Sequence, residues 1–229
     1  MKNMDAVALK QQVTEMGADL CGIAPVDRFA HAPTGFHPRD ILPGCQSVIV
    51  VAARFPGSTL TAGKSQAAYT FVRNCLTDKV DRITFRLAED LEASGYAAIP
   101  IPSAEPYESW DTERRHGQGI LSLKHAAVLA GLGKMGKNTL LVNRRFGNLL
   151  WLGALLVDAA LAPDAVATYA TCPASCRICL DSCPVQALDG ISIEQKKCRS
   201  VSGQYTEGGG GVYTCNMCRK VCPNRQGVN

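Results

Sequence analysis

The sequence predicts a layered α/β (α+β) domain over residues 1–163 followed by a cysteine-rich module over residues 164–229. Three observations predict it. Segments with the apolar spacing of helices alternate with short continuous apolar runs of the kind that form buried strands, as far as residue 161. Eight of the eleven cysteines then fall in the last sixty residues, six of them in two copies of one spacing. A linker containing Pro163 separates the two regimes.

Residues 5–17, DAVALKQQVTEMG, place Val7, Leu9 (or Lys10), Val13 and Met16 along one face, an amphipathic helix stopped by Gly17. The run from Leu20 to Ala24, ended by Pro25, is a buried strand, with Cys21 a small core residue. His31 and His37 fall in a loop containing Pro and Gly and read as solvated. The run from Ser47 to Ala53 is the strongest strand, buried on both faces. Residues 65–94 repeat Tyr69, Val72, Leu76, Val80, Ile83, Leu87 and Leu91 at spacings of three and four, a long helix that Gly95 ends. A short strand runs from Tyr96 to Pro102, and residues 103–119 form a long polar loop, functional or mobile. A helix follows from Ile120 to Leu132, starting near Ser122. Strands are expected from Thr139 to Val142 and, after the Phe146-Gly147-Asn148 turn, from Leu149 to Leu161. Gly208 to Gly211 reads as a flexible linker.

The cysteines carry the chemistry. Cys176-x2-Cys179-x3-Cys183-Pro184 and Cys215-x2-Cys218-x3-Cys222-Pro223 are one phrase written twice. It is most of the run C-x2-C-x2-C-x3-C-P, whose fourth cysteine ligates the other of two iron–sulfur clusters. A short loop can deliver three converging thiolates; the x3 step starts a helix, with proline in its first turn, and turns the fourth away. Two such phrases exchanging their last cysteines give two complete sets. Cys172, Cys176 and Cys179 combine with Cys222, and Cys198, Cys215 and Cys218 combine with Cys183. Both clusters are expected to be 4Fe–4S. A zinc site would use two C-x2-C knuckles and leave four of these cysteines idle. Disulfides would need an oxidising compartment, and Met1-Lys-Asn-Met-Asp-Ala begins no apolar signal. One spacing departs from the pattern: Cys172-x3-Cys176 stands where x2 is usual, so its extra residue must bulge or Cys172 must leave the set.

Residues 131–136 match G-x-G-x-x-G, but a helix precedes and an apolar β-like run follows, the reverse of a dinucleotide site. Gly131-x4-Gly136-Lys137 nearly spells a P-loop, with Asn138 where a magnesium-binding Ser or Thr is required. Two readings stand. Gly131, Gly133, Gly136, Lys137 and Asn138 cradle an anionic or amide-bearing ligand, or the glycines make a tight helix-to-strand connection.

AGLGKMGKNTLLV, then FGNLLWLGALLVD, then the double cysteine phrase resembles the epoxyqueuosine reductases, iron–sulfur enzymes related to the cobalamin-dependent reductive dehalogenases. The resemblance is specific over residues 119–225 and is carried earlier by the helix–strand rhythm alone. It implies a nitroreductase-like domain that binds cobalamin, with the glycine loop holding part of the corrinoid. It also implies a ferredoxin-like module that feeds the cobalt from a low-potential electron donor. The family's proton-donating acid aligns with Gly117, so the donor is unassigned; His116 or Asp111 could replace it. The family continues into a helical-repeat domain that helps bind tRNA, whereas this chain stops seven residues after Cys222. A corrinoid or small-molecule substrate is therefore expected, and tRNA is not. The other expectation is a ferredoxin-type carrier whose α/β domain docks a partner.

Composition narrows the rest. Hydrophobic content of 46% and charge of 19% are those of a globular chain. No apolar run reaches the roughly 18 residues of a membrane span, so no membrane partner and a cytoplasmic location are expected. The formal charge of +4 would be offset by two clusters carrying roughly two negative charges each, which removes the case for a charge-driven nucleic-acid partner.

Overall fold

The computed structural model describes residues 4–61 and 66–228; the expected helix start at residue 65 and the first three residues lie outside them. Helix α1 (Ala6–Glu15) is capped by Asp5, whose carboxylate accepts the Val7 amide at 2.9 Å. It buries Ala6, Leu9 and Val13, with Met16 packed against the same core, and leaves Val7 74% exposed, so of the expected face only Val7 is displaced, by Ala6. Strand β1 (Leu20–Pro25) leads through the short helix α2 (Pro38–Ile41) to β2 (Ser47–Arg54). His37 is not a solvated loop residue: its Nδ1 accepts the Arg39 amide and caps α2. Helix α3 (Gln66–Ala93) is followed by β3 (Ala98–Ile101), β4 (Ser109–Asp111), β5 (His116–Gln118) and α4 (Leu123–Leu129). Strands β6 (Lys134–Met135), β7 (Leu141–Val142) and β8 (Leu150–Val157) close the first part of the chain.

Strands β1, β2, β8 and β3 form one antiparallel sheet in that order. Its period of two sorts the side chains onto two faces. Ile49, Val51 and Ala53 join a core with α1 and α3, while Val48, Val50 and Ala52 join another with α4. A strand covered on both faces has no polar side to show, which is why Ser47 to Ala53 reads as a continuous apolar run. The expected burial on both faces holds, within an antiparallel sheet. The long helix presents Tyr69, Leu76, Val80, Ile83, Leu87 and Leu91 to the first core, the face expected from its spacing.

The polar stretch 103–119 is not an unstructured loop: β4 and β5 pair as a hairpin, Trp110 opposite Gly117. Three-residue strands with exposed polar side chains carry no apolar alternation, so the sequence gives no sign of them.

The C-terminal part consists of α5 (Ile178–Asp181), α6 (Gln195–Ser202), β9 (Gly203–Tyr205), β10 (Gly211–Tyr213) and α7 (Met217–Lys220). The glycines at 208–211 close the β9–β10 hairpin, where Thr206 and Gly210 exchange hydrogen bonds. This hairpin docks on α3: the Tyr213 amide donates to Thr70 Oγ1 at 2.8 Å, and the Arg73 guanidinium lies 3.6 Å from the Tyr213 ring centroid. Helices α5 and α7 occupy equivalent places in the two cysteine phrases. Each ends before its Cys-Pro pair, so the proline follows a helix and does not open one. Among the described residues no helix is long and apolar enough to cross a membrane.

Candidate functional site

Two groups of thiols form in the C-terminal part. Cys172, Cys176, Cys179 and Cys222 line a single cavity of about 590 Å³, with Asn138 and Thr171 also in its wall. Burial pushes the Cys179 thiol above its ordinary value, and Cys222, Cys172 and Cys176 push it the same way. Cys222 is raised by burial, against the Asn224 amide, and again by Cys172 and Cys176. Cys198 is raised by burial and, beyond the opposing Ser202 hydroxyl, by Cys215 and Cys183. Cys218 is pushed up to about 11 by burial, against Arg219, with Cys198 and Cys215 adding to it. Thiols that raise one another electrostatically are neighbours, and Cys218 is raised by Cys179 as well, so the eight cysteines lie close together in one region. Cys172 lines the same cavity as Cys176, Cys179 and Cys222 despite the longer gap. Among the described residues no three His, Cys, Asp or Glu side chains gather tightly enough for a single metal ion.

The remaining cysteines lie elsewhere. Cys45 is buried, Cys75 is exposed on α3, and burial drives Cys21 up to about 12.

The glycine loop packs against other segments of the chain. Gly131 has φ +76°, and a Cβ there would strike the Ala165 carbonyl. A Cβ on Gly133 would strike the Val142 carbonyl, because β6 folds straight back on β7. Lys137 and Asn138 face the thiols. The Lys137 ammonium donates to the carbonyls of Ala174, Cys176 and Pro173 at 2.7, 2.9 and 3.1 Å. Asn138, 2% exposed, donates through Nδ2 to the Cys218 carbonyl at 3.0 Å.

A larger cavity, about 950 Å³, opens between α4, the sheet and the β4–β5 hairpin. Phe29, Phe36, Leu121, Val128 and Leu150 make it apolar; Arg28, His116, Lys124, His125 and Arg219 bring cationic or proton-bearing groups to it. None of the five glycine-loop residues named above lines it. Burial pulls Lys124 below its ordinary value against the pull of Cys218, and burial followed by Lys124 lowers His125. Of the two side chains that could stand in for an acid at Gly117, His116 lines the cavity and Asp111 does not. The Tyr107 ring lies where a Gly117 side chain would be, 2.9 Å from its Cβ position, and its hydroxyl accepts Arg199 at 2.9 Å. Gln195 clasps the Gly117 backbone from α6, the helix that carries Cys198. No sequence signal pointed to Tyr107, Gln195 or Arg199. The one trace is Gly117 itself.

Arg219 lines the larger cavity. It is 7% exposed, follows Cys218, donates to the Asn148 carbonyl, and sits over the rings of Phe55 and Trp151 at 5.6 and 5.9 Å. Asn148 returns a hydrogen bond to the Arg219 carbonyl at 3.2 Å, while its Oδ1 is buried without a partner.

No family model matches the chain. The epoxyqueuosine reductase of Staphylococcus aureus is 29% identical over 265 residues, covering 99% of this chain and 67% of that one. A solved epoxyqueuosine reductase from Streptococcus thermophilus superimposes with a TM-score of 0.66 at 20% identity, over 97% of this chain and 66% of that one. A catabolic reductive dehalogenase in complex with 3-bromo-4-hydroxybenzoic acid gives a TM-score of 0.68 at 19% identity, over 96% and 32%. The chain spans about half to two thirds of the length of the curated relatives it matches over most of its own length. The expectation that tRNA is no partner does not stand. The relatives are epoxyqueuosine reductases, and one structure with this fold is of that enzyme with a tRNA-Tyr epoxyqueuosine-modified stem loop, TM-score 0.64. The likeness runs through nearly all of the chain. By sequence along its length, and by fold, the chain is similar to the epoxyqueuosine reductases, and it shares its fold with the reductive dehalogenases.

Proposed function

We propose that the chain is an iron–sulfur oxidoreductase that passes low-potential electrons through two 4Fe–4S clusters to a cobalamin-type cofactor. In this reading a nitroreductase-like domain over residues 1–163 holds the corrinoid and a ferredoxin-like module over 164–229 holds the clusters. The single observation that carries the reading is the nearness of a thiol to the cavity: Cys218 is followed by Arg219 and acts electrostatically on Lys124, and both of these line the 950 Å³ cavity.

The donor sets fit the clusters. Zinc draws sulfurs to about 2.3 Å from one centre; here four thiols instead ring 590 Å³ of space. Raised thiol pKa values describe groups that hold their protons until a metal displaces them, so cluster assembly releases protons and adds folding energy. The large cavity would take part of a corrinoid. It lies at the upper end of the roughly 300–1,000 Å³ of small-molecule sites, is mainly apolar, and offers the orphaned Asn148 Oδ1 to an amide donor. Bound there, the corrinoid would supply a nucleophilic metal centre. The chain's own residues would exclude water with the apolar wall and present His116, Lys124 and His125 to the ligand. The relatives suggest an epoxyqueuosine-bearing tRNA as substrate.

Protein reconstituted without air should carry about eight irons per chain. It should also take up cobalamin, with a shift in the visible spectrum as the axial base leaves. Eight irons without cobalamin uptake would leave the carrier with a docking domain. A colourless protein would refute both.

A further inference from the structure

Lys137 occupies a setting unusual for a cation. Among the described residues no carboxylate lies within ion-pair distance of it, yet all three of its N–H donors are used. Every acceptor is a backbone carbonyl of Pro173–Cys176, the loop between the first two cysteines of the first group. That loop is the one whose gap is a residue longer than those of Cys176–Cys179 and Cys215–Cys218.

The extra residue adds a peptide unit that must point somewhere. Carbonyl dipoles pointing the same way repel one another unless a cation stands at their focus. Lys137 stands there, on the body of the protein outside the cysteine module. With the carbonyls drawn outward, Cys172 and Cys176 both line the inner cavity. Asn138 grips the second phrase through the Cys218 carbonyl. One dipeptide thus holds both ligand loops.

We propose that Lys137 is a positioning residue for the first thiol group. By collecting the carbonyls of Pro173, Ala174 and Cys176 it fixes the three-residue gap so that Cys172 joins Cys176, Cys179 and Cys222. Its charge also raises the reduction potential of the cluster held there, because reduction adds negative charge beside it. The inference rests on the iron–sulfur reading.

The test compares wild type, Lys137→Gln and Lys137→Arg after anaerobic reconstitution with iron and sulfide. It reads iron per chain, the rate of iron loss to a chelator, and each cluster's potential by EPR-monitored titration. The glutamine variant should fall from about eight irons to about four. Any first cluster it retains should titrate at a lower potential. The arginine variant keeps the charge, but its planar fork cannot meet three converging carbonyls. It should keep the potential and lose iron about 10–100-fold faster, the range for outer-shell partners. Circular dichroism of the three apoproteins should coincide. A glutamine variant with eight irons, unchanged potentials and an unchanged loss rate overturns the inference and leaves the cluster reading intact. Wild type that takes up no iron overturns the reading, and the inference with it. Should the glutamine variant fail to fold, a wild-type loss rate in the arginine variant overturns the inference by itself.

Discussion

Replacing Asn138 by alanine separates two roles for the loop that ends in it. If Asn138 holds a cofactor, the variant loses cobalamin uptake and little stability. If it anchors the cysteine module, the loss falls on folding. The structure gives the size of that loss. Asn138 is 2% exposed, donates to the Cys218 carbonyl at 3.0 Å and accepts the Leu140 amide at 3.2 Å. Alanine leaves both groups without their partner, at about 1–3 kcal/mol for a fully buried one. Both partners are only partly enclosed, so the sum is taken low, at about 2–4 kcal/mol. For a chain of this length each kcal/mol moves the melting temperature by about 2–4 °C, so the midpoint should fall by roughly 4–16 °C. The assay is urea unfolding of anaerobic protein followed by circular dichroism, with an unchanged slope showing that stability alone has moved. A loss below about 0.5 kcal/mol, the size of a surface substitution, would refute the anchoring role.

Cys179→Ala should remove about four of eight irons and loosen the C-terminal part, whereas Cys75→Ala, on the exposed face of α3, should leave iron content unchanged; iron analysis of both decides. His125 contributes a pH dependence. Burial, reinforced by Lys124, holds it below 6.5, so beneath that value the unfolded chain binds a proton that the folded chain refuses. Stability should therefore fall as pH drops through 6.5 toward the depressed value and stay flat above it. His125→Gln should flatten that slope in unfolding curves at pH 5 to 8, and an unchanged slope would remove His125 from the account. Gly147→Ala should weaken the seating of the last residues, since Gly147 has φ +56° and a Cβ there would strike the Asn224 carbonyl. Limited proteolysis near residue 224 should then speed up.

The parts that were legible in the sequence are those where one force acts alone. Ser47 to Ala53 reads as a strand because burial on two faces leaves no room for a polar residue. The thiol region is legible because eight cysteines at fixed spacings crowd one short stretch, and four of them, Cys172, Cys176, Cys179 and Cys222, line one cavity. The β4–β5 hairpin was hidden because it is held by side chains far along the chain: Gln195 clasps Gly117, and Arg199 reaches Tyr107 and Trp110. The glycine motif is ambiguous for a related reason. A Gly-x-Gly can mean a ligand approaching the backbone or another segment of chain doing so, and only the fold shows that Ala165 and Val142 are what approach.

The same ambiguity explains where the missing chemistry sits. Spacing motifs find residues that meet a group through their own backbone turn, as the cysteines do. A cavity walled by Phe29, Leu121, Leu150 and Arg219 draws on four segments, and each is an ordinary core or cationic position where it occurs. Asn148 Oδ1 is the exception that structure exposes. An acceptor 1% exposed with no donor costs about 1–3 kcal/mol. The same side chain donates its Nδ2 to the Arg219 carbonyl, so it cannot turn away to relieve that cost without giving up that bond. A ligand bearing an amide or hydroxyl donor removes it. The position that stiffens the wall between thiols and cavity is thus also the one best placed to register what fills the cavity.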